Sequence, residues 1–327
     1  MPDGGQTTID RAGEPSYRLM SSRQWYEVCR MLVTVLTPTF NRAGYLPELH
    51  ASLLRQDMDL EWVVIDDGST DDTKGVMEEL ARISPFPVRC QWQPNGGKHS
   101  AFNHGVSMAR GELIAQIDSD DLLVPGGLCR LLDHWSDIED NRRYAGVAGL
   151  CVDERGHVVG ERFPRDMIDA SWQEALYRYS TAGDKPRMYR TDVLRAHPFP
   201  LRTGYVAESV LWRAIGRSYL TRHVNEQVVV CRMSAQNRLT RRPFAEIASG
   251  AVMQHGITLA EDIAWLRFRP VHFAKAAVNL SRACFHQKEP VWRRSRGFDA
   301  VAARALSLGS IPLGWVFYRM DLLSSGS

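Results

Sequence analysis

Two apolar segments of this sequence each end in a cluster of carboxylates. Residues 113–117 precede Asp118, Ser119, Asp120 and Asp121, and residues 62–65 precede Asp66 and Asp67. Clustered carboxylates at the end of a buried strand repel one another, so a positive group is expected among them, and a hard divalent cation is the economical candidate. Ligands of an open parallel sheet bind outside the carboxyl ends of its strands. We therefore expect both clusters to line one crevice.

Strand-like and helical segments alternate along the first half of the chain. The β-branched run 32–36 is followed by leucines at helical spacing (46, 49, 53), then by the apolar run 61–66. This βαβ pattern continues to about Cys151 and predicts a parallel sheet covered by helices on both faces. Beyond it we expect strands at 145–152 and 186–189 and helices at 171–180 and 206–215. The region 260–287 is predicted to be mainly helical, and residues 1–30 a leader of uncertain order.

Composition and charge narrow the classes of partner. The 327 residues carry 40 Lys and Arg against 38 Asp and Glu, a formal charge of +2, which gives no reason to expect nucleic acid. From Trp265 onward, ten basic residues face three acidic ones. That excess suits an anionic membrane surface or a phosphorylated acceptor, or else a solvated helix face.

The six cysteines show no metal-ligand spacing, and neither a signal sequence nor a segment of bilayer-spanning length is evident. We expect a cytoplasmic protein and leave peripheral membrane contact open. The sequence does not predict the oligomeric state.

Four separated motifs carry a resemblance to a known family. They are Thr37-Pro38-Thr39-Phe40-Asn41-Arg42, the run from Val64 to Asp71, Asn95-Gly96-Gly97-Lys98, and the run from Asp118 to Asp121. In this order they resemble the family 2 glycosyltransferases of the GT-A fold, firmly over residues 32–124 and more loosely to about 219. The resemblance implies an α/β, Rossmann-like, mostly parallel sheet flanked by helices, with a helical C-terminal extension.

The resemblance also implies a domain layout. Residues 31–250 would form the GT-A catalytic domain, with a nucleotide-sugar-binding half (31–125) and an acceptor half (126–250). Residues 251–327 would form the extension.

The resemblance assigns roles to the acidic residues. A Mg²⁺ or Mn²⁺ ion that neutralises the departing diphosphate would be held by Asp120, with Asp118 against the ribose and the metal. Asp121 either caps the next segment or meets the donor sugar. Asp66 would accept the ring N–H of uracil or thymine, which favours UDP or TDP sugars, while Asp67 supports the neighbouring loop.

The first motif would line the base-binding side of the donor site. Thr37, Pro38 and Thr39 would form the wall under the base, with Asn41 in the same loop. Ordinary turn and helix-cap chemistry is the alternative for Asp67, Ser69 and Asp71.

Two further residues are candidates on weaker patterns. The segment around Lys98 is not a phosphate-binding Walker A loop, because Trp92 stands at the first glycine position and His99 follows the lysine. Lys98 is predicted to lie at the donor site, the alternative being a solvated lysine at a helix start. Glu208 is the candidate base, although Ser209 replaces the second acid usual in the family and a surface glutamate in a first helical turn is the alternative.

These assignments predict a metal-dependent inverting glycosyltransferase. It would move a sugar from a nucleotide-diphosphate sugar to a hydroxyl-bearing acceptor, either a glycan, a lipid-linked glycan or a small molecule. One alternative is a sugar-nucleotide nucleotidyltransferase, disfavoured because no glycine-rich basic loop follows the first strand. The other is a catalytically silent sugar-nucleotide-binding protein, which the imperfect Glu208 context favours.

Overall fold

The structure, a computed structural model, describes residues 33–202, 204–234 and 242–324. The predicted leader 1–30 lies outside the described residues. Nine strands in these ranges form one sheet: β1 Val33–Thr39, β2 Leu60–Asp66, β3 Val88–Trp92, β4 Leu113–Gln116, β5 Leu122–Leu123, β6 Tyr144–Val152, β7 Met167–Ala170, β8 Arg187–Arg190 and β9 Leu220–Val230. The helices up to residue 216 are α1 Leu46–Leu53, α2 Thr73–Ile83, α3 Lys98–Met108, α4 Gly127–Ser136, α5 Thr191–Ala196 and α6 Ser209–Gly216. They are followed by α7 Phe244–Glu261, α8 Pro270–His286, α9 Val291–Ser295, α10 Val301–Gly309 and α11 Ile311–Ser324.

The first half of the sheet is parallel, in the order β3-β2-β1-β4. Strand β1 pairs with β2 from Val33↔Leu60 to Thr39↔Asp66, and with β4 from Val33↔Leu113 to Leu36↔Gln116. The carboxyl ends of β1, β2 and β4 therefore meet at one edge. The predicted α/β class is confirmed, with the expected βαβ alternation in this half.

The second half makes the sheet mixed. Strand β8 lies antiparallel between β4 and β6, and both β5 and β7 pair antiparallel with β9, whereas β6 and β9 are parallel. The parallel character predicted for most of the sheet thus belongs to the first half, and the antiparallel pairs lie in the second half. The segment 171–180, predicted to be helical, includes a π-helical turn at Glu174–Arg178.

Two apolar layers cover the sheet. On one face, Trp62 and the alternate residues Val33 and Val35 pack under α1, α2 and α4. On the other face, Leu36 packs under α3, α5 and α6. Helix α3 approaches β1 so closely that a Cβ at Gly105 would lie 2.0 Å from Leu36 Cδ1. This close approach holds α3, which begins at Lys98, against β1.

The C-terminal helices form a third apolar cluster against the sheet domain. The predicted boundary at 250/251 falls inside α7, which packs on α6 and α8. Within the described ranges, no single helix has the length and apolarity needed to cross a membrane. The pair α10 and α11, bent by 45°, reaches them together by length and composition.

Candidate active site

The predicted site residues of the first half gather at the edge where β1, β2 and β4 end. Pro38 and Thr39 are the last residues of β1, paired in register with Ile65 and Asp66. Asp118 follows β4 by two residues. Loop contacts tie these strand ends together, since the Asp67 backbone N–H donates to the Thr39 carbonyl at 2.8 Å. The expected convergence of the two acidic clusters is therefore present.

Lys98 joins this edge to the second half of the chain, which is predicted to form the acceptor side. Its Nζ lies 2.6 Å from Asp118 Oδ1 and 2.6 Å from Glu208 Oε1. Gln116 Nε2 donates to the same Glu208 oxygen at 3.1 Å. Lys98 is placed by Gly97, whose φ of +89° suits glycine, and by its own position as the first residue of α3. The lysine thus bridges a strand-end carboxylate and the candidate base.

This bridge sets the protonation of its members. Burial alone would lower the pKa of Lys98, but Asp118 and Glu208 outweigh it and raise the pKa. Burial opposes ionisation of Glu208, yet Lys98 holds the pKa of that carboxyl below its usual value. Asp118 has a raised pKa, because burial and the nearby charges of Glu208 and Asp120 outweigh Lys98. In this state Glu208 is an ion-paired carboxylate and a weak base.

Asp120 and Asp121 complete the acidic turn. Asp120 Oδ2 pairs with Arg42 Nη1 at 3.1 Å, so a salt bridge links the loop after β1 to the acidic turn. Asp121 accepts the Arg232 backbone N–H at 3.2 Å. Burial, followed by the charges of Asp118 and Asp120, raises the pKa of Asp121 to about 7. The carboxylates of Asp118, Asp120 and Asp121 therefore form one concentration of negative charge in this turn.

That concentration is suited to a divalent cation. Carboxylate oxygens are the ligands that Mg²⁺ and Mn²⁺ prefer, and the mutual repulsion that raises the pKa values of Asp118 and Asp121 would be relieved by a cation. Across the described ranges, no group of three or more His, Cys, Asp or Glu forms a ready-made metal site.

Asp66 and Asp67 are both buried but differ in what they contact. Asp66 Oδ1 accepts the Ser69 backbone N–H at 2.9 Å. Asp67 accepts three hydrogen bonds, from Gln93 Nε2 at 2.7 Å and from the backbone N–H groups of Gly96 and Gly97 at 2.9 and 2.7 Å. Asp67 therefore holds the glycine loop that precedes Lys98.

Asn41 organises the facing loop. It has a positive φ of 51°, which asparagine tolerates, and its Oδ1 accepts the Thr70 backbone N–H at 2.7 Å. Its own backbone N–H donates to Ser69 Oγ at 2.8 Å. Thr39 Oγ1, in contrast, is buried without a hydrogen-bond partner among the described residues. That hydroxyl, in the predicted base wall, is available to bond to a ligand.

Two residues of the site were missed in the sequence. Gln116 was counted as part of an apolar run, although a polar residue inside a buried strand is itself a signal of a functional contact. Arg187, at the start of β8, lies near enough to lower the pKa of Glu208. A separate cleft of about 660 Å³ lies near α7 and α9 and contains none of the predicted site residues.

Comparison with known proteins agrees with this geometry. The sequence model of the family described as Glycosyl transferase family 2 matches residues 34–196. An uncharacterised glycosyltransferase of Nostoc is 31% identical over 156 residues, 47% of this chain and 42% of the relative. The GalNAc(5)-diNAcBac-PP-undecaprenol beta-1,3-glucosyltransferase of Campylobacter jejuni is 37% identical over 137 residues, 40% of this chain and 41% of the relative. The matches thus span about two fifths of the length of these relatives.

Among solved structures, residues 1–349 of S. aureus TarS in complex with UDP-GlcNAc align with a TM-score of 0.57 at 20% identity. The alignment covers 89% of this chain and 92% of the other. It confirms the GT-A type of fold predicted from the sequence.

Proposed function

The chain belongs to glycosyl transferase family 2 through residues 34–196, and we propose that it transfers a sugar from a nucleotide-diphosphate sugar to a hydroxyl-bearing acceptor. The observation that carries the proposal is the Lys98 bridge between Asp118, at the strand-end edge, and Glu208, in the acceptor half. The Lys98 ammonium lies between two carboxylates, and a donor diphosphate bound at this position would compete with them for its positive charge.

The proposed reaction is a single displacement with inversion at the anomeric carbon. The acceptor oxygen forms a bond to that carbon, the bond from the carbon to the diphosphate oxygen breaks, and the acceptor proton passes to Glu208. When the donor diphosphate attracts Lys98, the constraint that depresses the pKa of Glu208 is weakened and the carboxylate becomes a stronger base. Gln116 keeps the carboxylate oriented through its hydrogen bond.

Asp120 and Asp118 would hold the Mg²⁺ or Mn²⁺ ion. When bound, such an ion supplies positive charge to the departing diphosphate. Asp66, with Pro38 and Thr39, would contact a pyrimidine base, which makes UDP or TDP sugars the proposed donors. Asp67 and Asn41 contribute by holding the loops on either side.

The acceptor is proposed to be a glycan or a lipid-linked glycan. The C. jejuni relative is named for an undecaprenol-linked substrate, and the exposed apolar α11 supports peripheral contact with an anionic bilayer at the cytoplasmic face. Such contact would bring the site to a lipid-linked acceptor.

Release of nucleoside diphosphate from a panel of donor sugars, with and without EDTA, tests this function. We expect activity that EDTA abolishes and Mn²⁺ or Mg²⁺ restores, and a loss of about 10²-fold or more in kcat for Glu208→Gln and for Asp120→Asn. Matched controls are Glu79→Gln and Asp140→Asn, two carboxylates that each pair with an exposed arginine. Release of pyrophosphate would favour the nucleotidyltransferase, and donor binding without turnover the silent binding protein.

A further inference from the structure

A pocket of about 150 Å³ adjoins the candidate base on the acceptor side. Its polar lining includes Lys185, Arg187, Glu208, Ser209, Trp212 and His223. Asp66, Lys98 and Asp118 do not line it, so Glu208 is where the pocket meets the strand-end site. At about 30 Å³ per water molecule, the pocket has room for a small polar group with part of its hydration.

Several buried polar atoms around this pocket lack hydrogen-bond partners among the described residues. They are Ser209 Oγ, Trp212 Nε1, Arg187 Nε and both ring nitrogens of His223. Trp212 and His223 are only 5% and 3% exposed. The Ala170 carbonyl lies near the His223 ring and favours its protonation, but makes no hydrogen bond of normal geometry. Buried polar groups are nearly always bonded, so this cluster indicates a bound polar group.

The pocket also contains two cations without an ion-pair partner among the described residues. Lys185 is 6% exposed, and within the described part of the chain its Nζ donates to the Ala182 carbonyl alone, at 3.2 Å. Arg187 donates to the Lys185 carbonyl at 2.7 Å and lies 4.6 Å from the Trp212 ring centre. Glu208 is engaged by Lys98, and Asp184, the other carboxylate of the lining, is exposed to solvent.

The available groups are therefore mainly hydrogen-bond donors. Lysine, arginine and the indole N–H can only donate. A neutral sugar hydroxyl both donates and accepts hydrogen bonds, whereas a carboxylate or phosphate presents acceptors alone. Such an anion also supplies the negative charge that would pair with the two cations. An anionic group satisfies this pocket better than a neutral one.

We propose that this pocket binds an anionic group of the acceptor, a phosphate or a carboxylate, close to the hydroxyl that Glu208 deprotonates. The proposal rests on the proposed function, since that function places the acceptor at Glu208. Arg187 and Lys185 provide the charge, Trp212 donates its indole N–H, and acceptors that carry an anionic substituent near the reacting hydroxyl are selected.

The test uses the full chain and three probes: methyl phosphate, methyl glucuronide and neutral methyl glucoside. Each is titrated while the indole N–H resonance of Trp212, assigned with Trp212→Phe, is followed by NMR. We expect saturable shifts with one or both anionic probes and none with the glucoside at equal concentration. The anion with the lower Kd identifies whether phosphate or carboxylate is the natural group.

Variants add a second measurement. Arg187→Gln and Lys185→Gln are each expected to raise the Kd of the anionic probe at least about tenfold. Arg190→Gln, on the same strand and paired with Asp192, is the control and should leave it unchanged. Intact spectra of the variants show that they fold, and wild-type binding decides the question if one of them does not.

Equal binding of the glucoside, or no shift with either anion, would overturn the proposal. Turnover of a donor without anion binding defeats this inference alone. Anion binding at Trp212 without release of nucleoside diphosphate defeats the proposed function and leaves the pocket standing.

Discussion

At the residue scale, His223 shows how burial controls a charge. It is 3% exposed, and burial, followed by the charge of Arg187, lowers its pKa to about 3. Lys185 adds to this effect, while Asp169 opposes it. In the unfolded chain the imidazole binds a proton near pH 6.5, so below that pH the unfolded state holds one more proton than the folded state. His223 therefore destabilises the protein as the pH falls from 6.5 toward 3.

We predict that this slope can be measured. Between pH 6 and 4.5 the free energy of unfolding should fall more steeply in the wild type than in His223→Gln, by up to about 1.4 kcal/mol per pH unit. Urea unfolding at several pH values gives both curves, and the other titrating groups contribute equally to each. Parallel curves would mean that His223 is protonated alike in the folded and unfolded states.

The acidic residues of the site could be predicted from local sequence, because a carboxylate just after a buried strand has few structural explanations. Asp67, with three hydrogen bonds to one loop, fits its predicted supporting part. Contacts such as Gln116 to Glu208, 92 residues apart, could not be predicted, because no local pattern specifies which distant side chain will arrive. His223 and Arg187 were missed for the same reason.

At the element scale, α6 and the end of α7 are joined by a buried ion pair. Arg213 Nε lies 2.5 Å from Asp262 Oδ2, with side chains 3% and 2% exposed. Tyr177 donates to the same carboxylate oxygen at 2.8 Å, and Arg213 donates to Thr258 at 2.8 Å. Removing one member leaves a charge buried without its counter-ion, which costs far more than the net contribution of the pair.

Asp262→Ala is predicted to lower the free energy of unfolding by about 3–5 kcal/mol. The adjacent Glu261 forms an exposed ion pair with Arg217, so Glu261→Ala should cost at most about 1 kcal/mol. Thermal and urea unfolding of the two variants compare a buried and an exposed pair at neighbouring positions. Similar losses in both would show that burial does not govern the energy of this junction.

The elements themselves were largely predictable, since helical and strand periodicities are local. The order of strands in the second half was not. Strand β8 pairs with β4 and β6, and only the packing of the whole sheet decides that a strand from residue 187 lies beside one from residue 113. The periodicity of the sequence therefore could not predict which strands pair antiparallel.

At the scale of the whole molecule, the C-terminal region carries both an excess of basic residues and an apolar surface. Helix α11 contacts α8 through Gly314, against Ser281, and Asp321, which binds Arg282 and His286. Its opposite side presents Val316, Met320 and Leu323, which are 46%, 56% and 73% exposed. The basic excess was evident in the sequence, but the outward direction of these apolar side chains depends on which face packs inward.

An apolar outer face with Arg319 and an exposed Trp315 beside it matches a helix that lies in the interface of an anionic bilayer. We predict that the protein floats with vesicles containing phosphatidylglycerol and less with neutral ones. Val316→Glu with Met320→Glu should weaken this binding at least about tenfold, because two apolar side chains that would enter the lipid are replaced by charges that the lipid headgroups repel. Ile83→Glu, at an apolar residue of α2 with 53% exposure, is the control and should bind as the wild type does. If the double variant floats unchanged, the α11 face does not bind lipid. If the wild type is instead a dimer in light scattering and the double variant a monomer, a second copy of the chain covers this face.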